Sequence, residues 1–363
     1  MLLSEFDFKL PEGLIATHPV DPRDSARLMV ASRDSGKITH SSFHNLPSFL
    51  QKGDFLVFNS SKVIPARLFG KVNGKDIEIL LISQFSVIPA QAGIYTNRDS
   101  RLRGNDSLWK VLAKPGKRLQ KGSEVIFNKH LSARVVDITG GIFRLKFSLS
   151  NNDFWREIGK VGEMPLPPYI LKARHEQHDE QVDISDYQTV YADKAGSVAA
   201  PTAGLHFTED LMQRVKDKGC DIGFVDLHVG LGTFEPIRTE RVEDHKIHPE
   251  YFELSNDLAD TLNQAKKEGR RIIAVGTTTV RVLESCCENG SVKAKYGETD
   301  IYIYPGYEFG FVDGMITNFH LPKSSLLLLV SALWSWEKIL ETYQEAIQNN
   351  YRFYSYGDGM LII

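Results

Sequence analysis

Cysteine is scarce in this chain of 363 residues. The three that occur, Cys220, Cys286 and Cys287, include an adjacent pair and show no metal-ligand spacing, so neither a disulfide framework nor a cysteine zinc site is expected. So few thiols fit a reducing, cytoplasmic compartment. Charge of one sign is not in excess: 43 Lys and Arg stand against 46 Asp and Glu, a net charge of −3. Nothing global therefore announces a nucleic-acid partner, although counts cannot locate a local basic surface. Long apolar runs are missing too. The most apolar stretch, 326–330, falls short of the ~20 residues needed to cross a bilayer even when extended to Trp336, and reads as a buried helix. Glu5 and Asp7 stand where a secretory signal needs an unbroken apolar core. No G-x-G-x-x-G follows a strand and no Walker lysine is present, so neither a dinucleotide fingerprint nor a P-loop is expected.

What is present is an α/β pattern. The length allows two or three domains with a sizeable core. After Pro201 the chain alternates between helical and extended periods. Thr208 reads as a helix N-cap ahead of Leu211, Met212 and Val215, with Gly219 as the stop; a strand follows from about Asp221 to Val229. Ser255 or Asn256 caps a second helix bearing Leu258, Leu262 and Ala265, and Gly269 ends it. Strands are predicted over 271–275, 299–304 and 312–318, and two helices finish the fold.

Residues 64–147 differ, with short β-rich runs separated by Gly, Asn and Lys turns and no helical period. That pattern predicts a small antiparallel β-barrel inserted into a larger α/β domain. The expected division is 1–63 with 155–363 for the large domain and 64–154 for the barrel. Val87 to Ser107 offers little for a core and is expected to be a mobile surface excursion; its Arg98, Arg101 and Arg103 either touch RNA phosphates or are simply solvated.

Chemistry concentrates in two glycine-rich polar blocks. The first, Ala195 to Thr208, holds Thr202, Gly204 and His206; the second, Leu227 to Pro236, holds His228, Gly230, Gly232 and Thr233. Small residues let backbone approach a ligand, and each block carries a histidine able to titrate near neutral pH. A plain surface turn has the same composition, so neither block decides alone. Gly276, Thr277, Thr278 and Thr279 sit at a strand-to-helix turn, where unpaired N–H groups and the helix dipole favour an anion. Arg281 in the first turn adds a bidentate partner for a carboxylate. The alternative is threonines that only cap the helix, worth about 1 kcal/mol. Asn318 to Ser325 repeats this design and puts Asn318 and His320 at a strand end, the edge where open α/β sheets bind ligands. These edges are expected to converge on one crevice lined by His206, His228 and His320 with Thr277, Thr278, Thr279 and Arg281. Asp244 to His248 supplies two imidazoles without a third ligand, so no metal is expected. Asn59 and Arg67 either face a ligand or close a turn, and for Asn59 the turn is the simpler reading.

In this order the blocks resemble one family. Leu14 to Pro19, Val57 to Leu68, Met164 to Ile170, Tyr187 to Tyr191, Val198 to Phe207, Leu227 to Phe234, Val275 to Arg281, Ile303 to Gly306, Thr317 to Pro322 and Phe353 to Asp358 are together similar to the S-adenosylmethionine:tRNA ribosyltransferase-isomerases of queuosine biosynthesis. The resemblance implies a large α/β domain and a smaller β-barrel. It implies transfer of the ribosyl part of S-adenosylmethionine to 7-aminomethyl-7-deazaguanine at the tRNA wobble position, with rearrangement to an epoxide and loss of adenine and methionine. S-adenosylmethionine is then a substrate, no cofactor is implied, and a cytoplasmic monomer is expected. Such a reaction needs a base, and His206 is the one chosen: it precedes a helix N-terminus that disfavours its protonation, although it would equally serve to hydrogen-bond the loop. Two other classes stay open. A methyltransferase would bind the same ligand but lacks its glycine-rich first turn here, and an idle RNA-binding module would not need the histidine blocks.

Overall fold

The computed structural model describes residues 1–84, 108–174, 180–230 and 236–363. The Val87–Ser107 insertion with its three arginines lies outside the described residues, as do Gly232 and Thr233. The chain forms two compact units, Met1–Lys62 with Pro167–Ala195 and Ala199–Ile363, and Val63–Leu166 with Gly196–Val198.

The larger unit is built on a nine-stranded sheet. At its centre Asp221–Leu227, Phe55–Asn59, Ile272–Val275 and Gly314–Asn318 run parallel. Alternate residues of a strand face opposite sides, and here both sides are apolar. Phe55 and Val57 join a core with Ala274 and Met315, while Leu56 and Phe58 join a second core with Ile273, Val275 and Ile316. A sheet covered on both faces explains why these strands read as unbroken apolar runs rather than alternating ones. On one side of the parallel core, Glu250–Leu254 and Lys295–Thr299 continue the sheet antiparallel. On the other, Gly359–Ile362 pairs antiparallel with Gly314–Asn318 and parallel with Arg27–Ala31, which Ile38–Ser42 flanks.

Local signals place the helices. Thr208 Oγ1 accepts from Leu211 N at 3.1 Å, capping Glu209–Asp217. Ser255, not Asn256, caps Asn256–Lys267 by accepting from Leu258 N. Ser324 and Ser335 cap Ser325–Leu333 and Trp336–Gln348 in the same way, and the apolar stretch around 326–330 is a buried helix as read. The strand expected over 299–304 is a correction: it is Lys295–Thr299, and the chain leaves the sheet after it. The Ile301 carbonyl, two residues past the strand, accepts from the Arg281 guanidinium, as does that of Thr299, the last strand residue, which is still paired with Glu250.

In the smaller unit Arg67–Val72, Lys75–Gln84, Leu108–Lys114, Ile142–Phe147, Ser132–Thr139 and Glu124–Ile126 pair in that order, and the last pairs back to the first, closing a six-stranded antiparallel barrel. Gly70 marks the closure, where an added Cβ would stand 2.9 Å from the Ile126 carbonyl. The unit runs on to Leu166 rather than stopping at 154. The reason is the helix Asn151–Val161, whose Phe154 stacks on Trp109 and meets Phe147 edge-on, placing it on the barrel core.

Candidate active site

The carboxyl ends of the parallel strands in the larger unit deliver the polar blocks to one edge. A small cleft of about 40 Å3 opens there, lined by Pro201, Thr202, Val229, Gly276, Thr277, Thr278, Thr317, Asn318 and His320 among others. That is room for a water or two, so seating a nucleoside requires the walls to part.

The floor begins at Asn59, the last residue of its strand and fully buried. Its Nδ2 donates to the Leu227 carbonyl at 3.0 Å and to Thr278 Oγ1 at 3.3 Å, and its Oδ1 accepts from the N–H groups of Leu227 and Ser61 at 3.1 Å each. With all these bonds Asn59 closes the turn and ties two strand ends to a helix start. Arg67 is likewise structural, bonded to Glu78 at 2.7 Å and to Glu163 at 3.3 Å within the barrel unit.

Gly276 precedes the helix Thr277–Cys286 with φ of 91°, a left-handed value that glycine accepts without penalty. The first-turn N–H groups have no intrahelical acceptor, and Thr277 and Thr278 bring that turn to the cleft. Thr279 does not reach it: the residue is fully buried and its hydroxyl donates to the Val275 carbonyl at 2.8 Å. Arg281 does not line the cleft either. Its guanidinium is paired in the interior with the Glu250 carboxylate, whose other oxygen accepts from Gly230 N at 2.7 Å. The carboxylate expected from a ligand is supplied by the protein itself.

The three histidines separate. His320 lines the cleft, with Nε2 2.9 Å from Thr317 Oγ1 and its backbone N–H donating to Tyr343 Oη at 3.1 Å. Burial holds its pKa down to about 3, so the ring is neutral. His206 is one step removed: Asn318 Nδ2 donates to its Nε2 at 3.1 Å while Asn318 Oδ1 accepts from Thr202 Oγ1 at 2.9 Å. Its ring stacks on Phe43 with centroids 4.1 Å apart and borders a second small cavity with Pro19, Arg23 and Tyr356. Burial, then the charges of Arg352 and Arg23, pulls His206 down to about 3. His228 turns away where its neighbour Val229 turns in. It lies beside Tyr251, with Asp226, Lys194 and Glu253 as its charged neighbours, and burial lowers its pKa. Of the residues expected to share one crevice, Thr277, Thr278 and His320 line the cleft and His206, His228, Thr279 and Arg281 do not; Thr202, Gly276 and Asn318, singled out as substrate-binding positions, line it as well.

Gly204 serves the fold. An added Cβ there would stand 1.8 Å from Tyr191 Oη, so the glycine is the space for the buried hydroxyl of a partly buried tyrosine. Thr317 and Tyr343, the partners of His320, escaped the sequence reading. Thr317 lay unremarked inside the Thr317–Pro322 block, and Tyr343 carried only the periodicity of a core residue.

A polar cleft at the carboxyl edge of a doubly covered sheet, with a helix start and a neutral imidazole, marks the larger unit as an α/β unit with a candidate small-molecule site, and the smaller unit is a closed barrel. Residues 3–362 match the family described as queuosine biosynthesis protein, and the chain belongs to that family. It is 48% identical to the S-adenosylmethionine:tRNA ribosyltransferase-isomerase of Desulfitobacterium hafniense and 47% identical to that of Halothermothrix orenii, each over the whole of both chains. Its structure is similar to the crystal structure of S-adenosylmethionine tRNA ribosyltransferase from Thermotoga maritima, with a TM-score of 0.54 and 35% identity, covering 99% of this chain and all of the other.

Proposed function

We propose that this protein is an S-adenosylmethionine:tRNA ribosyltransferase-isomerase, moving the ribosyl part of S-adenosylmethionine onto 7-aminomethyl-7-deazaguanine at the tRNA wobble position and rearranging it to the epoxide of epoxyqueuosine. Adenine and methionine are released. The observation that carries the reading at the site is the meeting of Thr202, Thr277, Thr278, Asn318 and His320 around one cleft. The sulfonium makes the C5′ hydrogens acidic and makes methionine a good leaving group, so a base is enough to begin and the chemistry calls on no metal or resident cofactor. His320 is assigned as that base, because it alone of the three histidines lines the cleft and its ring is neutral. A cation beside it disfavours its protonation further until the C5′ proton arrives. The helix start at Thr277 suits the methionine carboxylate, since unpaired N–H groups and the dipole favour an anion.

The test is product analysis with S-adenosylmethionine and tRNA bearing the 7-aminomethyl-7-deazaguanine base. Adenine, methionine and an epoxide-bearing nucleoside are expected. S-adenosylhomocysteine would instead mark a methyltransferase, and RNA binding without adenine release would mark a binding module.

A further inference from the structure

We propose that a groove at one end of the barrel unit docks the RNA substrate, which deepens and rests on the function above. Whole-chain counts hide a strong asymmetry. The described residues of the barrel unit include fourteen lysines and arginines and seven aspartates and glutamates, a net charge of +7 in a chain whose net charge is −3. Excess positive charge confined to one unit is the electrostatic footprint expected for binding a polyanion.

The groove, about 930 Å3, forms where the hairpin turn at Asn73 and Gly74, the segment after Lys114 and the strand Glu124–Ile126 come together. Lys71, Lys75, Lys114, Lys117 and Lys121 are exposed on these segments. Arg118 ties two of them by donating to the Asp76 carbonyl. The acids of the groove are partly spoken for within the protein, Asp76 by Lys71 at 3.4 Å and Glu78 by Arg67 at 2.7 Å. Its floor is apolar and open: Phe69 is 44% and Ile126 54% exposed. The Arg67 guanidinium lies 4.8 Å from the Phe69 ring centroid. A half-exposed aromatic in a groove lined by Lys71, Lys114 and Arg118, with Lys75, Lys117 and Lys121 on the same segments, suits an RNA loop, whose phosphates meet the cations while an unstacked base lies against the ring.

The experiment measures binding of an unmodified anticodon stem-loop transcript from 50 to 200 mM KCl, alongside adenine release from modified tRNA. The triple change Lys114→Glu, Lys117→Glu, Lys121→Glu is expected to weaken RNA binding at least about 30-fold and to flatten the log–log salt dependence by about 2–3. S-adenosylmethionine binding and the melting temperature should not move. Phe69→Ala is expected to weaken RNA binding about fivefold or more with the salt slope unchanged. Wild-type RNA affinity and salt slope in both folded variants would overturn the proposal. Binding is read without turnover, so the two readings fail separately. An active wild type whose tRNA KM ignores the triple change removes the groove and leaves the reaction. An inactive wild type whose RNA affinity falls with the lysines removes the reaction and leaves the groove.

Discussion

Asn318 is held by His206 through its Nδ2 at 3.1 Å, and the same amide accepts from Thr202 through Oδ1 at 2.9 Å, so a cleft-lining side chain has its orientation set from both ends. The bond requires His206 to present a bare Nε2, which fixes the ring as the Nδ1–H tautomer. A nitrogen accepting from the Asn318 amide nitrogen, which can only donate, is not available for a C5′ proton, whereas the Thr317 hydroxyl beside His320 Nε2 can itself accept and so leave Nδ1 of that ring bare. On the proposed reading of the reaction, His206 is therefore a positioning residue and His320 the base.

His206→Gln should keep kcat for adenine release within about fivefold, because the new amide oxygen accepts in place of Nε2. His206→Leu removes the acceptor, leaves a buried N–H unpaired at a cost of about 1–3 kcal/mol, and should lower kcat about 10- to 100-fold through a misplaced Asn318. Retained activity in the leucine variant, or complete loss in the glutamine variant, would refute the positioning role.

His320→Gln should depress adenine release by about 10²- to 10⁴-fold, the usual contribution of a general base. Binding of S-adenosylmethionine, measured by equilibrium dialysis, should stay near the wild-type value. An active His320→Gln protein would take the base away from this residue.

Acid should destabilise the protein earlier than its carboxylates alone would. His206 and His320 are each held down to about 3 in the fold against about 6.5 in an unfolded chain. Between those values the unfolded chain binds protons that the folded protein refuses. Their stabilisation is complete above pH ~6.5 and is lost as pH falls, with a slope approaching about 1.4 kcal/mol per pH unit for each histidine. Denaturant titrations at pH 7.5, 6 and 5 measure it, and His206→Gln should remove part of the slope. Stability that is flat over this range would contradict the buried, neutral state.

Gly204→Ala should cost about 1–3 kcal/mol by overpacking against Tyr191. Tyr191→Phe, which deletes a buried hydroxyl that has no hydrogen-bond partner among the described residues, should be neutral or slightly stabilising alone. In the double variant part of the alanine cost should be recovered, a coupling that thermal or denaturant unfolding reads directly. Strict additivity would mean that the two residues do not press on each other.

Glu250→Gln should destabilise the protein by about 3–5 kcal/mol, since it strands the buried Arg281 charge. The Gly230 N–H keeps an acceptor in that variant, which separates loss of the ion pair from loss of the loop contact. A shift under about 1 kcal/mol would show that Arg281 finds another carboxylate or water.

The fold was legible where one segment carries its own pattern. Thr208, Gly219 and the apolar run at 272–275 announced helix start, helix stop and central strand by local chemistry. The strand Gly359–Ile362 was not legible, because nothing within four residues says that its partners lie at 27–31 and 314–318. The site was legible to the same extent. Gly276 and His320 follow strands directly and line the candidate cleft, whereas Arg281 does not, because the carboxylate it meets, Glu250, is 31 residues away in sequence. His228 failed for a simpler reason: in extended chain a neighbour one position along looks the opposite way.

The placement of Gly359–Ile362 between Gly314–Asn318 and Arg27–Ala31 also dictates an order of assembly. The hairpin of Arg27–Ala31 and Ile38–Ser42 leaves the ribosome early, yet its seat in the sheet does not exist until residue 362 has been made. Its apolar residues Leu28, Met29 and Val30 must wait through more than three hundred further residues of synthesis. Translation and final closure of the sheet are thus tied together, and the interval between them is where a nascent chain of this protein is exposed to holdase chaperones and to aggregation.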